Sequence, residues 1–205
     1  MRSMEHGMSS EMSKPLERPE RVEKNHEVKD YRKSLEQNDF YSSYKERLDH
    51  SPCGDGKLGS WSGERGESKY KPANKETQQE LKRYGADGIE YKYGVPDFSP
   101  VAKESVPIKD MSDQRTGADG NFAKADQVCA DKWNRTNEGG KNDWTARDVS
   151  NWRSENKYTW HERNDRKTCD LVPTKVHEEC GHLGGVSECK KEQQSQTKGA
   201  SLFDE

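Results

Sequence analysis

The apolar positions of this chain are sparse and fall into short, separate patterns, most of them beyond residue 75. Glu76 to Gly85 reads as a short helix that stops at its glycine. Ile89 to Tyr93 alternates apolar and polar side chains, the period of a strand. Pro96 to Pro100 is a rigid turn, with Phe98 placed to plug the core beneath it and Asp97 suited to capping it. From Phe122 to Trp133, the side chains Phe122, Ala125, Val128 or Cys129, and Trp133 fall on one side of a helix. Gly139 and Gly140 interrupt the chain. Trp144 to Trp152 then leads, by a helix or loop with both tryptophans in the core, into the densest pattern of all. There Tyr158 and Trp160 open a strand, Asn164 to Lys167 form a polar turn, and Leu171 and Val172 resume an apolar run. Pro173 suits the first position of a helix, where its missing N–H would have no partner in any case. Gly181 is placed to cap that helix in a left-handed conformation.

Before residue 76 the pattern is thin. Val28, Tyr31 and Leu35 lie near one helical stripe that Tyr41, Tyr44 and Leu48 continue loosely. This describes a solvated, partly helical linker, or a helix that docks on a partner. Residues 51–75 are rich in glycine and serine and read as a flexible connector. Gly54, Gly56 and Gly59 spell a dinucleotide fingerprint, but they follow no strand and open no helix. Composition agrees with this division: only 27% of residues are hydrophobic and 36% are charged, too few apolar side chains for an ordinary core along the whole length. The expected organisation is a polar, partly disordered N-terminal extension over 1–75, a compact domain over 76–195 and a flexible tail over 196–205.

Charge and cysteine content exclude several classes. A net charge of -3 offers no global attraction for nucleic acid, so any such contact rests on local charge. No run approaches the roughly 20 apolar residues of a membrane helix, and the first residues lack the apolar core of a signal peptide. Export therefore implies another module or a specialised system. The five cysteines, without a C-x-x-C pair, argue against a disulfide framework and a zinc ribbon.

The pattern from Tyr158 to Ser187 carries candidate chemistry. Strand, turn, strand and short helix form a ββα unit, and three of the chain's six histidines, His161, His177 and His182, fall within it. Strand alternation puts Trp160 and Glu162 on one face and His161 on the other. His177 and His182 are five residues apart, about 500° along a helix and so about 140° around it. They can face one point only if the helix ends between them. A set held by His177, His182, Cys180 and Cys169 is a chemically reasonable structural zinc site.

These residues resemble a known family. Trp160-His161, Asp165, Leu171-Val172-Pro173, His177, His182 and Gly184-Gly185 follow the pattern of the Trp-His-His branch of the HNH/endonuclease VII-type nucleases found at the ends of bacterial polymorphic toxins. Gly94 to Ala102, and more loosely Asn121 to Asp126, extend the resemblance over about residues 85–190. One departure is Glu162, where many relatives carry a second histidine. The resemblance implies an α+β fold: a small ββα-metal (HNH/His-Me finger) nuclease domain with added helices. It implies a divalent ion, Mg2+, Mn2+ or Zn2+, with His177 as a ligand and His182 either completing the site or bonding a phosphate. It implies His161 as general base, with Glu162 as a ligand or alternative base. Asp165 either orients a histidine or holds the loop.

The implied activity is metal-dependent endonucleolytic cleavage, of DNA more than RNA, by a toxin delivered into a target-cell cytoplasm and neutralised in the producer by an immunity protein. Six basic side chains against four acidic ones in residues 151–176 are consistent with a nucleic-acid partner. Arg163, Arg166 and Lys167, near the hairpin tip, suit phosphate contacts rather than base reading. Two other readings share the motif: a non-toxic HNH nuclease of phage or restriction type, and a zinc-stabilised binding module without turnover.

Overall fold

Four short strands follow one another into the first of two antiparallel sheets: β1 (Gly59–Trp61), β2 (Lys69–Pro72), β3 (Ile89–Lys92) and β4 (Val95–Asp97). They belong to a computed structural model that describes Leu35 and residues 40–201, with side chains as far as Thr197. Helix α1 (Tyr44–His50) precedes the sheet and α2 (Lys75–Arg83) links β2 to β3. The second sheet has the order β5-β7-β6, from β5 (Glu104–Pro107), β6 (Tyr158–Glu162) and β7 (Thr168–Pro173). Helices α3 (Asn121–Thr136) and α4 (Ala146–Glu155) lie between β5 and β6, and α5 (Thr174–Glu179) and α6 (Gly185–Ser201) follow β7. The described residues are thus α+β, with six α-helices and two small sheets.

Two cores meet at β7. Tyr70, Ile89 and Tyr91 of the first sheet pack with Leu81 of α2, Phe98, Val172 and Val176. Val106, Cys169 and Leu171 of the second sheet pack with Trp160 of β6, Cys129 and Trp133 of α3, and Val149 of α4. Alternation along β7 divides its side chains between these layers, Cys169 and Leu171 to one and Val172 to the other. Each large side chain fully buried here stabilises by roughly 1.5–3 kcal/mol. Asp126 of α3 ties the second layer together: it accepts from Trp160 Nε1 at 2.8 Å and pairs with Arg153 of α4 through both oxygens, at 2.8 and 3.0 Å.

Much of the expected secondary structure is present. Helix α2 starts at the cap Asn74 and is followed by Gly85 at φ 71°, and the hairpin of β6 and β7 pairs Trp160 with Leu171 and His161 with Asp170. Asp97 caps its turn, accepting from Ser99 N at 3.0 Å, and Phe98 is fully buried.

Other expectations need correction. The stretch read as a connector carries β1 and β2, so the first sheet crosses the boundary drawn at residue 76. Residues 40–50 are also fixed to the rest. Glu188 of α6, fully buried, accepts from Tyr41 N at 2.7 Å, from Ser42 N at 3.1 Å and from the Ser42 hydroxyl. Arg47 donates from Nε to Tyr93 O at 2.7 Å. Helix α6 covers the start of the expected tail, whose last four residues lie outside the described residues. The helical stripe expected through Val28 and Tyr31 also lies outside them, apart from Leu35, which is buried with Val95. Pro173 ends β7 and precedes α5 instead of opening it. Gly181 has no left-handed φ; what requires glycine there is close approach, since a Cβ would stand 2.6 Å from the carbonyl oxygen of His50.

Candidate metal centre

The hairpin and the short helix bring His161, His177 and His182 together. His161 is the fourth residue of β6, on the face opposite Trp160, as strand alternation requires. Pro173 ends β7 and turns the chain directly into α5, whose fourth residue is His177. Helix α5 stops at Glu179, and the chain returns His182 from the following loop, which resolves the 140° conflict between two histidines five residues apart. One ligand atom from each of the three imidazoles lies within 4.8 Å of the others. Phe98 forms the floor, its ring centroid 4.7 Å from that of His161 and 5.5 Å from each of the other two.

The loop that returns His182 is held close by its glycines. A Cβ on Gly184 would stand 2.9 Å from the carbonyl oxygen of Glu162, and one on Gly185 would overlap that of Arg163. Asn164 Nδ2 donates to Leu183 O at 3.0 Å and fastens the loop to the hairpin. The Gly-Gly pair thus lets the loop lie against the end of β6.

All three imidazoles are held neutral. Burial is the largest cause in each case: it pushes His161 well below the usual histidine range, His177 to about 3 and His182 to about 4. For His161 the neighbouring His182 and His177 add to the effect, for His177 the neighbour is His182, and the positive charge of Arg115 acts on all three. His182 Nδ1 lies 2.7 Å from the carbonyl oxygen of Cys180, to which it donates, so Nε2 carries a lone pair. That Nε2 is 3.1 Å from His161 Nδ1, while the buried His161 Nε2 has no protein partner.

This donor set fits a divalent transition ion. Tetrahedral bonds of about 2.0–2.1 Å hold ligand nitrogens roughly 3.3 Å apart, close to the 3.1 Å between His161 and His182. A ligand imidazole that donates its other N–H to a backbone carbonyl is the usual supporting arrangement. The cysteines are elsewhere. Cys169 is buried in the layer with Trp160, and Cys180 packs in the other with Tyr91, its thiol pushed well up by burial. Among the described residues, the only cluster able to hold an ion is the three histidines.

The remaining sequence-derived candidates are dispersed. Glu162, 2% exposed, is on the other face of the strand end, where its Oε1 accepts from Arg115 Nε at 3.2 Å and Asn121 Nδ2 at 3.4 Å. Asp165 holds the turn, accepting from Lys167 N at 2.8 Å, Thr168 N at 2.9 Å and Thr168 Oγ1 at 2.7 Å. Arg163 does not reach outward: it is buried in a two-bond pair with Asp170 at 2.6 and 2.7 Å. Arg166 lies 4.7 Å over the Tyr41 ring and 3.7 Å from Glu192. Lys167 is exposed. Sequence reading missed Arg115, which falls in no periodic pattern, and gave Asn121 no role beside Glu162.

Residues 88–184 match the family model of the DNase/tRNase domain of colicin-like bacteriocins. The match spans β3 through Gly184, including all three histidines, Glu162 and Arg115, and supports a nuclease domain of the bacteriocin type. Searches of curated proteins and of solved structures found no match.

Proposed function

We propose that this chain is a metal-dependent endonuclease of the ββα-metal, Trp-His-His type, acting as the toxin domain of an interbacterial competition system. The observation that carries the reading is the convergence of three neutral imidazoles, on a hairpin and its following helix, inside the span matching a bacteriocin nuclease. DNA is the preferred substrate, and a cognate immunity protein protects the producing cell. No helix among the described residues is long and apolar enough to cross a membrane, and the toxin reading calls for a delivery system into the target cell.

The geometry favours a change of role for His161. A general base must reach the water it deprotonates. His161 Nδ1 instead faces His182 Nε2 within the cluster, 3.1 Å away. It serves as a ligand with His177 and His182. A bound divalent ion supplies stabilisation of negative charge on the phosphate and on the leaving oxygen. Glu162 takes the proton of the attacking water. Arg115 and Asn121 hold its Oε1, which orients Oε2 for that task. The imidazoles stay neutral and keep their lone pairs, Phe98 excludes water beneath them, and Asp165 keeps the turn rigid.

Plasmid nicking by the purified full chain, with and without chelator, tests this reading. Cleavage that a chelator abolishes and added Mg2+, Mn2+ or Zn2+ restores supports it. A folded protein that binds metal but leaves plasmid and RNA intact favours a non-catalytic metal-stabilised module.

A further inference from the structure

The segment between β5 and α3 contains no helix or strand, and nothing in its pattern marks it out. Its backbone is nevertheless fixed. Asn121, fully buried at the start of α3, clasps Ser112 from both sides: its Oδ1 accepts from Ser112 N at 3.0 Å and its Nδ2 donates to Ser112 O at 2.8 Å. The N–H groups of Asn121 and Phe122 donate to the carbonyls of Gln114 and Arg115, each at 3.0 Å. A Cβ on Gly120 would stand 2.5 Å from the carbonyl oxygen of Thr116 and 2.8 Å from that of Arg115, so only glycine lets the segment fold back this tightly. The peptide that carries Arg115 is in place before any ligand arrives.

From there the Arg115 side chain reaches the end of β6. Its Nε is anchored on Glu162 Oε1 at 3.2 Å, and its guanidinium stands 5.7 Å from the centre of the Phe122 ring. The two partners differ in exposure: the Glu162 side chain is 2% exposed and that of Arg115 49%. One edge of the guanidinium is therefore tied to a buried carboxylate, on a side chain half of whose surface faces solvent. Glu162 directly follows His161 on β6, so the anchored guanidinium sits at the strand end that carries the cluster. A planar guanidinium presents paired N–H groups that match two oxygens of one phosphate. The arginines of the hairpin tip are less suited, with Arg163 buried against Asp170 and Arg166 on Tyr41 and Glu192.

We propose that Arg115 is a phosphate-binding residue: its terminal guanidinium N–H groups take oxygens of the nucleic-acid backbone beside the histidine cluster, while Glu162 anchors its Nε. This assignment rests on the nuclease reading above. It identifies the ligand of this patch as the sugar-phosphate chain and makes the contact independent of base sequence.

The test uses the full chain, the parent with R115A and R115K, and a fluorescent DNA duplex. Anisotropy in EDTA gives the affinity of the metal-free protein as a function of salt, and separate titrations give metal affinity and plasmid cleavage. R115A is expected to bind the duplex about five- to tenfold more weakly at low salt. Its slope of log affinity against log salt should fall by about 0.9, the loss of one phosphate contact. R115K should keep most of that slope, and neither variant should bind the metal more weakly than the parent. The proposal is overturned if R115A matches the parent in affinity and slope, or if it binds more weakly at an unchanged slope, which marks a structural role. A parent that cuts DNA while R115A behaves like it removes this assignment alone. A folded parent that neither binds nor cuts nucleic acid removes the nuclease reading and the assignment with it.

Discussion

His182 Nε2 lies 3.1 Å from His161 Nδ1, and the other nitrogen of His182 donates to the Cys180 carbonyl. That relationship is the ground for the ligand role proposed for His161. It turns His161 into the cluster, beside a lone pair that the Cys180 carbonyl keeps available, and leaves Glu162 on the outer side of the strand end.

The first prediction follows for Glu162. Glu162→Gln keeps the size of the side chain and its bonds to Arg115 and Asn121 but cannot accept a proton as a carboxylate does. Cleavage should fall by about 10²–10⁴-fold, with metal affinity and melting temperature near those of the parent. Measured side by side, a variant that still cuts at the parent rate rules out Glu162 as the base.

A second prediction concerns pH. His177 and His182 titrate near 6.5 when unfolded and are pushed by burial to about 3 and about 4 when folded, and His161 is lowered as well. Above pH 6.5 the groups are neutral in both states and contribute no pH dependence. As pH falls from 6.5 towards 4, the unfolded chain takes up protons that the folded chain refuses, so stability is lost across that window. For His182 alone this amounts to about 3 kcal/mol at the lower end. Denaturant midpoints of the metal-free protein at pH 7, 6 and 5 check it. A midpoint that stays level, or rises on acidification, contradicts the burial of neutral imidazoles.

The third prediction is local to the returning loop. Gly184→Ala puts a methyl group 2.9 Å from the Glu162 carbonyl oxygen and 3.5 Å from His182 Cδ2. Overpacking of this kind costs about 1–3 kcal/mol, and the displacement falls on a ligand. Melting temperature and metal affinity should therefore drop together, and a variant that changes neither shows that the loop has slack.

The hairpin was legible from the chain because its signals are local. Tyr158 and Trp160, the polar turn at Asn164 to Lys167, and the Leu171–Pro173 run each fix a neighbour's conformation. The surroundings of His161 were not legible. Alternation says only that it faces away from Trp160, and it takes Phe98 and α5, both distant in sequence, to bury that face. The first sheet was missed for a related reason. Its β1 and β2 are three and four residues of Gly, Ser, Lys, Pro and aromatic side chains, and β2 is paired with β3, further along the chain. Arg163 misled because a basic residue near a turn reads as solvated until its partner Asp170, across the hairpin, is known.

That missed sheet yields a fourth prediction. A fragment beginning at Lys75 loses β1, β2 and α1 and uncovers Ile89 and Tyr91, which are 1% and 3% exposed in the intact fold. It should show no cooperative thermal transition. If it melts cooperatively and binds metal like the full chain, the first sheet is not part of the folding unit.

The central claim is that three histidines hold one ion. It is tested most directly by calorimetric titration of the metal-free full chain and its H161A, H177A and H182A variants with Zn2+ or Mn2+. The account predicts one site per chain in the parent and a large loss of affinity in each of the three variants, H161A included, with cleavage partly restored by excess metal. An H161A protein that binds the ion as tightly as the parent contradicts it, and returns His161 to the role of base beside a site made by His177 and His182.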